Sequence, residues 1–363
     1  MLINRIELKN FRNYNDLLIE LDEGINLIYG ENGSGKTNIV EALYWVAMMK
    51  SFRTSEDINL VKYNQKVMRV SILSEHDEIK KEIAVEYNSE LKKKIFKINE
   101  KKVNSGQFIG EIPIIIFAPE NIMIIKGEPL IRRNYIDDLI VQIDKAYYQI
   151  VKKYNKIVSH RNYLLKQIRD NQLSNNVLDI WNKQLIEEGI KVVLLRMKYI
   201  EEINNKLKNE LVNEKLNIHL NYYSKNFLKL DETNIKFNYE QFFIEHLNDE
   251  IARSITLIGP HRDDIEIYYN NQLAKQFASE GQQRISVILL KLAEGLVLKQ
   301  KKGFYPLILL DDFSSELDNP NKDLIIRTFG LFNQIIITTT YKENLKNFKI
   351  SNLIEIKEGK AIH

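Results

Sequence analysis

Eight residues, GENGSGKT from Gly30 to Thr37, combine a turn-forming backbone with a lysine and a hydroxyl. Gly30, Gly33 and Gly35 let the chain curl so that consecutive N–H groups face one cluster of phosphate oxygens, with Glu31, Asn32 and Ser34 completing the loop. Lys36 is of the type that reaches the β- and γ-phosphates of a nucleotide, and Thr37 of the type that gives its hydroxyl to magnesium. A magnesium ion also needs a carboxylate, and YPLILLDDF supplies two. Asp311 leaves the carboxyl end of a buried apolar run and suits the metal. Asp312 points the other way and suits orienting or deprotonating an attacking water. A third stretch, ASEGQQR, puts Ser279, Gly281 and Gln282 at a helix start. Its hydroxyl and N–H groups can close the open side of a γ-phosphate, within one chain or from a second copy. The same residues also make an ordinary helix cap.

Those groups meet only if the right elements carry them. NRIELKNF, DLLIEL and INLI read as strands, the last running straight into the loop. Thr37–Met49 has helical spacing, with Ile39, Val40, Leu43, Val46 and Ala47 on one face, which aims a helix N-terminus at the phosphates. Val67 to Val103 alternates as lysine-rich strands, an antiparallel patch, and Ile112–Phe117 is one more buried strand. Residues 128–215 are poor in glycine and read as two long antiparallel helices broken at Asp170–Asn176. Strands return at NIHLNYY and SITLIG. Then GQQRISVILLKLAEGLVLKQ, YPLILLDD, a helix opening at Pro320, QIIITTT and LIEIK alternate helix and strand. The expected fold is α/β: a parallel core with an antiparallel β patch, made by residues 1–120 and 216–363, and an inserted helical lobe at 121–215.

Bulk composition narrows the classes. The 363 residues are 44% hydrophobic and 28% charged, a globular balance, and no apolar run approaches the roughly 20 residues a spanning helix needs. A chain without cysteine has no disulfide framework, thiolate metal site or cysteine nucleophile, and a cytoplasmic protein is the simplest expectation. A net charge of +3 permits a nucleic-acid partner without requiring one. Between Ile150 and Arg169 lie Lys152, Lys153, Lys156, Arg161, Lys166 and Arg169 with no acid among them, a cationic helix suited to DNA phosphates. Taken together, these cations spread around the helix instead of forming one stripe. Lys80, Lys81, Lys92, Lys93, Lys94 and Lys97 form a rival patch on the strands, and either group also reads as a solvated surface. Arg132 and Arg133 fit pairing with Asp137 and Asp138 one turn on. His261 in GPHRDD reads as a hydrogen-bonding structural residue, and Tyr44 and Trp45 as packing residues.

The order of these motifs resembles the nucleotide-binding head of ABC ATPases, where the signature loop of one copy covers the nucleotide of another. SEGQ is similar to the S-G-G-Q core, and SELD at Ser315–Asp318 to the D-loop. Thr338–Thr340 stand where a switch histidine is usual, Asp312 stands where a glutamate is usual, and no Q-loop glutamine is identified. A medium-length insert together with LKNFRNY, GENGSGKTNIVEALYW, SFRTSED, IFAPENIMIIKGEPLIRRNYID, GPHRDD, ASEGQQR and ILLDDFSSELD resembles the RecF family over nearly the whole chain. That resemblance implies ATP and Mg2+ as cofactors, an ATP-bound homodimer on gapped or duplex DNA, weak ATPase activity, and work with RecO and RecR in recombinase loading. It also implies that Arg12 and Arg53 touch the nucleotide, where the residues alone equally allow a surface ion pair. Other readings are an ATPase of an abortive-infection or overcoming-lysogenisation system, for whose added nuclease domain the chain has no spare length, and a transporter ATPase.

Overall fold

The computed structural model describes residues 1–211, 217–224, 231–312, 329–340 and 349–362. The helix expected from Pro320 and the Ser315–Asp318 motif lie outside the described residues. In chain order come β1 (Leu2–Phe11), β2 (Tyr14–Glu20), β3 (Gly24–Tyr29), α1 (Lys36–Met48), β4 (Val67–His76), β5 (Ile79–Asn88), β6 (Lys93–Ile98), β7 (Lys101–Val103), α2 (Ser105–Phe108) and β8 (Ile114–Phe117). Next are α3 (Met123–Lys126), α4 (Pro129–Ile143), α5 (Lys145–Arg169), α6 (Leu178–Lys206), β9 (Ile218–Tyr223), α7 (Glu232–Glu245), α8 (Leu247–Arg253), β10 (Asp264–Tyr269), β11 (Gln272–Leu273) and α9 (Ala274–Phe277). The chain continues through α10 (Glu280–Lys302), β12 (Leu307–Leu310), β13 (Gln334–Thr339), β14 (Ile350–Lys357) and β15 (Lys360–Ile362).

These elements divide into two compact units, Met1–Ile122 with Arg284–His363, and Met123–Gln283. In the first unit a sheet of order β15-β14-β3-β13-β12-β8 is parallel except for the β14–β15 hairpin. Its strands β8, β12 and β13 are buried along their whole length, as continuous apolar runs demand when both sheet faces are covered. The second sheet of this unit, β2-β1-β4-β5-β6-β7, is antiparallel throughout. A buried amide links the two sheets: Gln334 at the start of β13 accepts from Ile3 N (2.8 Å) and donates to Ile3 O (2.7 Å) on β1. Helix α1 is buried from Ile39 to Met48 on every face, not on one stripe, so its single acid, Glu41, must find partners inside.

The second unit holds three long helices where the sequence suggested two. Asp144 breaks the first, and its carboxylate caps α5 by accepting from Ala146 N at 2.8 Å and Tyr147 N at 3.3 Å. The segment Ser254–Gly259 is not the strand its apolar pattern suggested. Ser254 ends α8 in the left-handed region at φ 55°, and Thr256 is held by side chains, with its N–H on Asn162 at 2.7 Å. Strands β9, β10 and β11 form their own three-stranded antiparallel sheet. They pack with α4 and α6, so the second unit runs to Gln283, well past the expected boundary at residue 215.

Ion pairs between distant segments weld this unit together. Arg132 grips Asp264 with two 2.8 Å bonds, and Arg196 grips Asp137 in the same way while donating to Pro260 O at 2.6 Å. Arg133 donates to Asp263 O at 2.6 Å. Neither Arg132 nor Arg133 makes these bonds one turn on, as the sequence suggested; each reaches the GPHRDD segment instead. His261 of that segment sits against the Tyr154 hydroxyl at 2.6 Å and Thr256 O at 3.2 Å, the structural role expected of it.

Burial pushes the His261 ring down to about 4 from its ordinary 6.5. The unfolded chain therefore takes up a proton near pH 6.5 that the native state refuses until about pH 4. This residue's contribution to stability falls as pH drops through that window, by up to about 1.4 kcal/mol per pH unit. His261→Gln should flatten the dependence of urea midpoints between those pH values. An unchanged slope would mean that the ring takes its proton in the native state.

Candidate phosphate-binding site

Strand β3 ends at Tyr29 and α1 begins at Lys36, so the loop between them, Gly30–Gly35, bends within six residues. Two of its glycines are required by space. Gly35 has φ 114°, and a Cβ there would lie 2.4 Å from the Tyr14 hydroxyl. At Gly30, with φ 153°, a Cβ would lie 2.3 Å from Ile356 O on β14. Lys36 folds over the loop and donates to Gly30 O at 2.9 Å and Glu31 O at 2.8 Å. Burial lowers its ammonium pKa, against the pull of Asp312 and Asp311. The loop opens on a cleft of about 330 Å³. Asn32, Gly33, Gly35, Lys36, Thr37, Asn38, Arg53, Asp312 and Thr338–Thr340 line it.

Parallel pairing of Leu310 with Ile337 sets Asp311 beside Thr338. Asp311 Oδ1 accepts from Thr37 Oγ1 at 2.9 Å and from Thr338 Oγ1 at 2.7 Å. The Thr338 hydroxyl in turn accepts from Asp312 N at 3.0 Å, with Asp312 in the left-handed region at φ 50°. Burial raises the Asp311 carboxyl above its ordinary range in spite of the two hydroxyl bonds, and Glu120 and Asp312 add to the rise. Thr37, Asp311 and Asp312, assigned from separate stretches of sequence, thus converge on one spot. Thr338 was missed as a partner. Its neighbour is fixed by strand register, which no local pattern shows.

Arg12 and Arg53 also converge, on a residue not singled out in the sequence. Glu41, fully buried on α1, accepts from Arg12 Nε (2.9 Å) and Nη2 (2.7 Å), from Arg53 Nη1 (3.2 Å) and from Ser51 Oγ (2.6 Å). Arg12 Nη1 donates to Asn59 O at 2.8 Å, so the protein engages all three nitrogens of its guanidinium, whereas Arg53 lines the cleft. A signal was present in the sequence: an acid in an otherwise apolar helix needs cations.

Ser279, Gly281 and Gln282 belong to the second unit. There Ser279 N donates to Gln282 Oε1 at 2.8 Å and Ser279 Oγ accepts from Gln282 N at 3.4 Å, a reciprocal cap on α10. Buried Gln283 donates to Ala274 O at 3.2 Å and Ala278 O at 3.1 Å, pinning the turn before Ser279. Used as an acceptor in the cap, the Ser279 oxygen keeps its hydroxyl proton for another partner.

Residues 2–362 match the profile of the RecF/RecN/SMC N-terminal domain. The RecF DNA replication and repair protein of Acetivibrio thermocellus is 36% identical over 375 residues, covering 100% of both chains. A solved structure of the recombination mediator protein RecF with ATP superposes with a TM-score of 0.91 at 33% identity, over 99% of this chain and 96% of that one. An SMC head bound to the winged-helix domain of ScpA shares the fold alone, with a TM-score of 0.56 at 17% identity over 99% and 96% of the two chains.

The expected DNA cations fare differently from one another. Lys152 and Lys156 are exposed on α5, and Lys153 pairs with Glu188 at 2.7 Å. Arg161 is not a surface residue: it is fully buried, bonded to Glu250, to Thr256 Oγ1 at 3.0 Å and to Asn182 Oδ1 at 2.8 Å, with Phe243 across its face at 4.5 Å. Its position on the inner side of α5 overrides its charge and corrects the DNA assignment. On the strands Lys81, Lys94 and Lys97 are likewise held by Glu111, Asp57 and Glu86. Arg161→Met should destabilise the chain by about 3–5 kcal/mol, because Glu250 is left charged and buried. Chemical denaturation measures this, and a loss under about 1 kcal/mol would contradict the buried pairing.

Proposed function

This chain belongs to the RecF/RecN/SMC N-terminal domain family, within it to the RecF proteins, and on that premise we propose that it is an ATP-gated DNA clamp of replication and repair. The observation that carries the reading is the joining of Thr37 to Asp311 at 2.9 Å, which brings the phosphate loop and the acidic strand end to one point. ATP sits with its phosphates on the N–H groups of Gly30–Thr37 and on Lys36. Thr37 and Asp311 offer hard oxygen donors on one side of the loop, a set that suits magnesium with most of its shell left to water and phosphate. Bound there, Mg2+ supplies charge neutralisation at the phosphates.

Asp312 orients the attacking water. Its side chain is one methylene shorter than the glutamate usual in ABC ATPases, which favours slow turnover and suits a switch more than a metabolic catalyst. Ser279, Gly281 and Gln282 of a second copy cover the γ-phosphate, with the Ser279 hydroxyl donating its free proton. ATP then joins two copies because each nucleotide touches both. The dimer holds duplex or gapped DNA in the cytoplasm, and RecO and RecR act with it to load recombinase.

The DNA contact is the outer face of α5. At about 100° per residue, Lys156, Tyr163 and Lys166 fall within roughly 40° of Lys152 on one face of the helix. All four are exposed, Tyr163 by 56%. Once buried Arg161, Lys153 paired with Glu188 and Arg169 paired with Asp170 are set aside, the remaining cations form a stripe.

Ser279→Ala should bind ATP normally yet stay monomeric with ATP in light scattering, while Asp312→Asn should remain dimeric after ATP addition for many times the parental lifetime. ATP-driven dimerisation of Ser279→Ala at the parental level would reduce Ser279 to a helix cap.

Binding to DNA should ignore sequence and weaken steeply with salt. Charge reversal of Lys152, Lys156 and Lys166 should make the slope of log K against log salt shallower by about 2–3, since each neutralised phosphate contributes about 0.9. The same slope in the triple variant would remove this face from the interface.

A further inference from the structure

Glu41 receives two guanidinium groups on one carboxylate. One positive charge in the Arg12–Glu41–Arg53 cluster is therefore uncompensated, and the geometry says which arginine carries it. Arg12 binds both carboxylate oxygens, at 2.9 and 2.7 Å, and adds a 2.8 Å bond to Asn59 O. Arg53 reaches Glu41 through one nitrogen at 3.2 Å, has a side chain 37% exposed, and lines the cleft over the phosphate loop. Arg12 is the fixed half of the cluster, and Arg53 the half still able to take an anion.

Glu41 holds Arg53 at both ends. At the guanidinium it acts directly. At the backbone it acts through Ser51, whose hydroxyl donates to Glu41 at 2.6 Å while accepting from Arg53 N at 2.9 Å and Thr54 N at 3.2 Å. The turn that aims Arg53 is thus anchored to the same carboxylate. A second tether runs to the loop itself. Arg53 Nη1 donates to Asn38 Oδ1 at 3.0 Å, Asn38 to Asn13 Oδ1 at 2.8 Å, and Asn13 to Ser34 O at 3.1 Å. Every link but the turn at Ser51 involves α1, the loop or the start of the chain, so Arg53 is registered against the phosphate loop.

We infer that Glu41 is a positioning residue which presents the Arg53 guanidinium to the phosphates of the bound nucleotide and acts on the ligand only through that arginine. The inference rests on the reading of Gly30–Thr37 as the ATP site. A carboxylate suits the task better than a neutral group, since it orders two cations at fixed spacing without cancelling both.

The test is a double-mutant cycle on Mg-ATP affinity, measured by calorimetry, with melting temperature in the absence of nucleotide followed in parallel. Glu41→Gln keeps the shape and turns an amide N–H₂ toward the guanidinium groups. It should weaken Mg-ATP binding about tenfold and raise KM with kcat within about twofold, because Glu41 touches no reacting atom. In an Arg53→Ala background the same change should alter affinity less than about twofold. Ser51→Ala, a milder change away from the buried charge, should weaken binding about threefold with Arg53 present and not without it. Lys36→Met separates the two levels of the reading. If it binds Mg-ATP as the parent does, the ATP site itself is misassigned. If it loses binding while Glu41→Gln and Ser51→Ala bind normally, or weaken binding equally with and without Arg53, the positioning role is refuted and Glu41 only stabilises the fold.

Discussion

Asp311 Oδ1 accepts from Thr37 and from Thr338, residues 274 and 27 positions away along the chain. Through this one oxygen, the loop after β3, the end of β12 and the end of β13 are held at a common point. The parallel order β3-β13-β12 makes the meeting possible, since parallel strands bring their carboxyl ends to the same edge of a sheet. The remaining constraints of the site follow. Gly30 and Gly35 must have no side chain because β14 and Tyr14 approach the loop closely. Lys36 must fold over the loop, and Asp312 must leave the strand in a left-handed conformation with its N–H on Thr338. Burial raises the Asp311 carboxyl, because it costs the charge more than the Thr37 and Thr338 hydroxyl donors return.

The same economy governs buried charge elsewhere. Glu41 in the first unit and Arg161, Arg196 and Arg132 in the second are each buried and each met by a partner of opposite sign. Removing one partner from such a pair is far more damaging than the pair is stabilising. These pairs therefore act as selectors of arrangement: Arg132–Asp264 ties the GPHRDD segment to α4, and Arg196, held by Asp137, ties it to α6 through Pro260 O. Around Glu41 the balance is deliberately uneven, two cations to one anion, and the surplus lies where the cleft opens. A site for polyphosphate gains from such a surplus, because the anion completes a network that is otherwise ordered and short of one negative charge.

The α5 helix shows why charge counting and charge placement differ. No acid interrupts its cations from Lys152 to Arg169, yet burial removes Arg161, and pairing with Glu188 and Asp170 occupies Lys153 and Arg169. Exposed Lys152, Lys156 and Lys166 remain, with Tyr163, on one face. Among the described residues no helix is long and apolar enough to cross a membrane. The exposed stripe on α5 is cationic and interleaved with a tyrosine.

What the sequence determined by itself is local. The strand–loop–helix at Gly30–Thr37, the strand ending in Asp311, the antiparallel run from Val67 and the cap at Ser279 all involve atoms a few residues apart, so backbone freedom, alternation and capping chemistry reveal them. The mixed α/β fold was legible for the same reason, helped by the order of its motifs. What only the tertiary structure decided is which distant groups meet. Arg12 and Glu41 are 29 residues apart and Arg161 and Glu250 are 89 apart, and nothing near either one in sequence reports the partner. Thr338 beside Asp311 depends on strand register, and the reach of the second unit to Gln283 depends on β9–β11 pairing among themselves. The loop at Ser254–Gly259 belongs here too, because its apolar pattern fits a strand until Asn162 takes up the Thr256 N–H. A side chain's type states what it can bond to. Which bond forms is set by the packing that buries it, since only burial makes an unpaired charge or N–H costly enough to choose between arrangements.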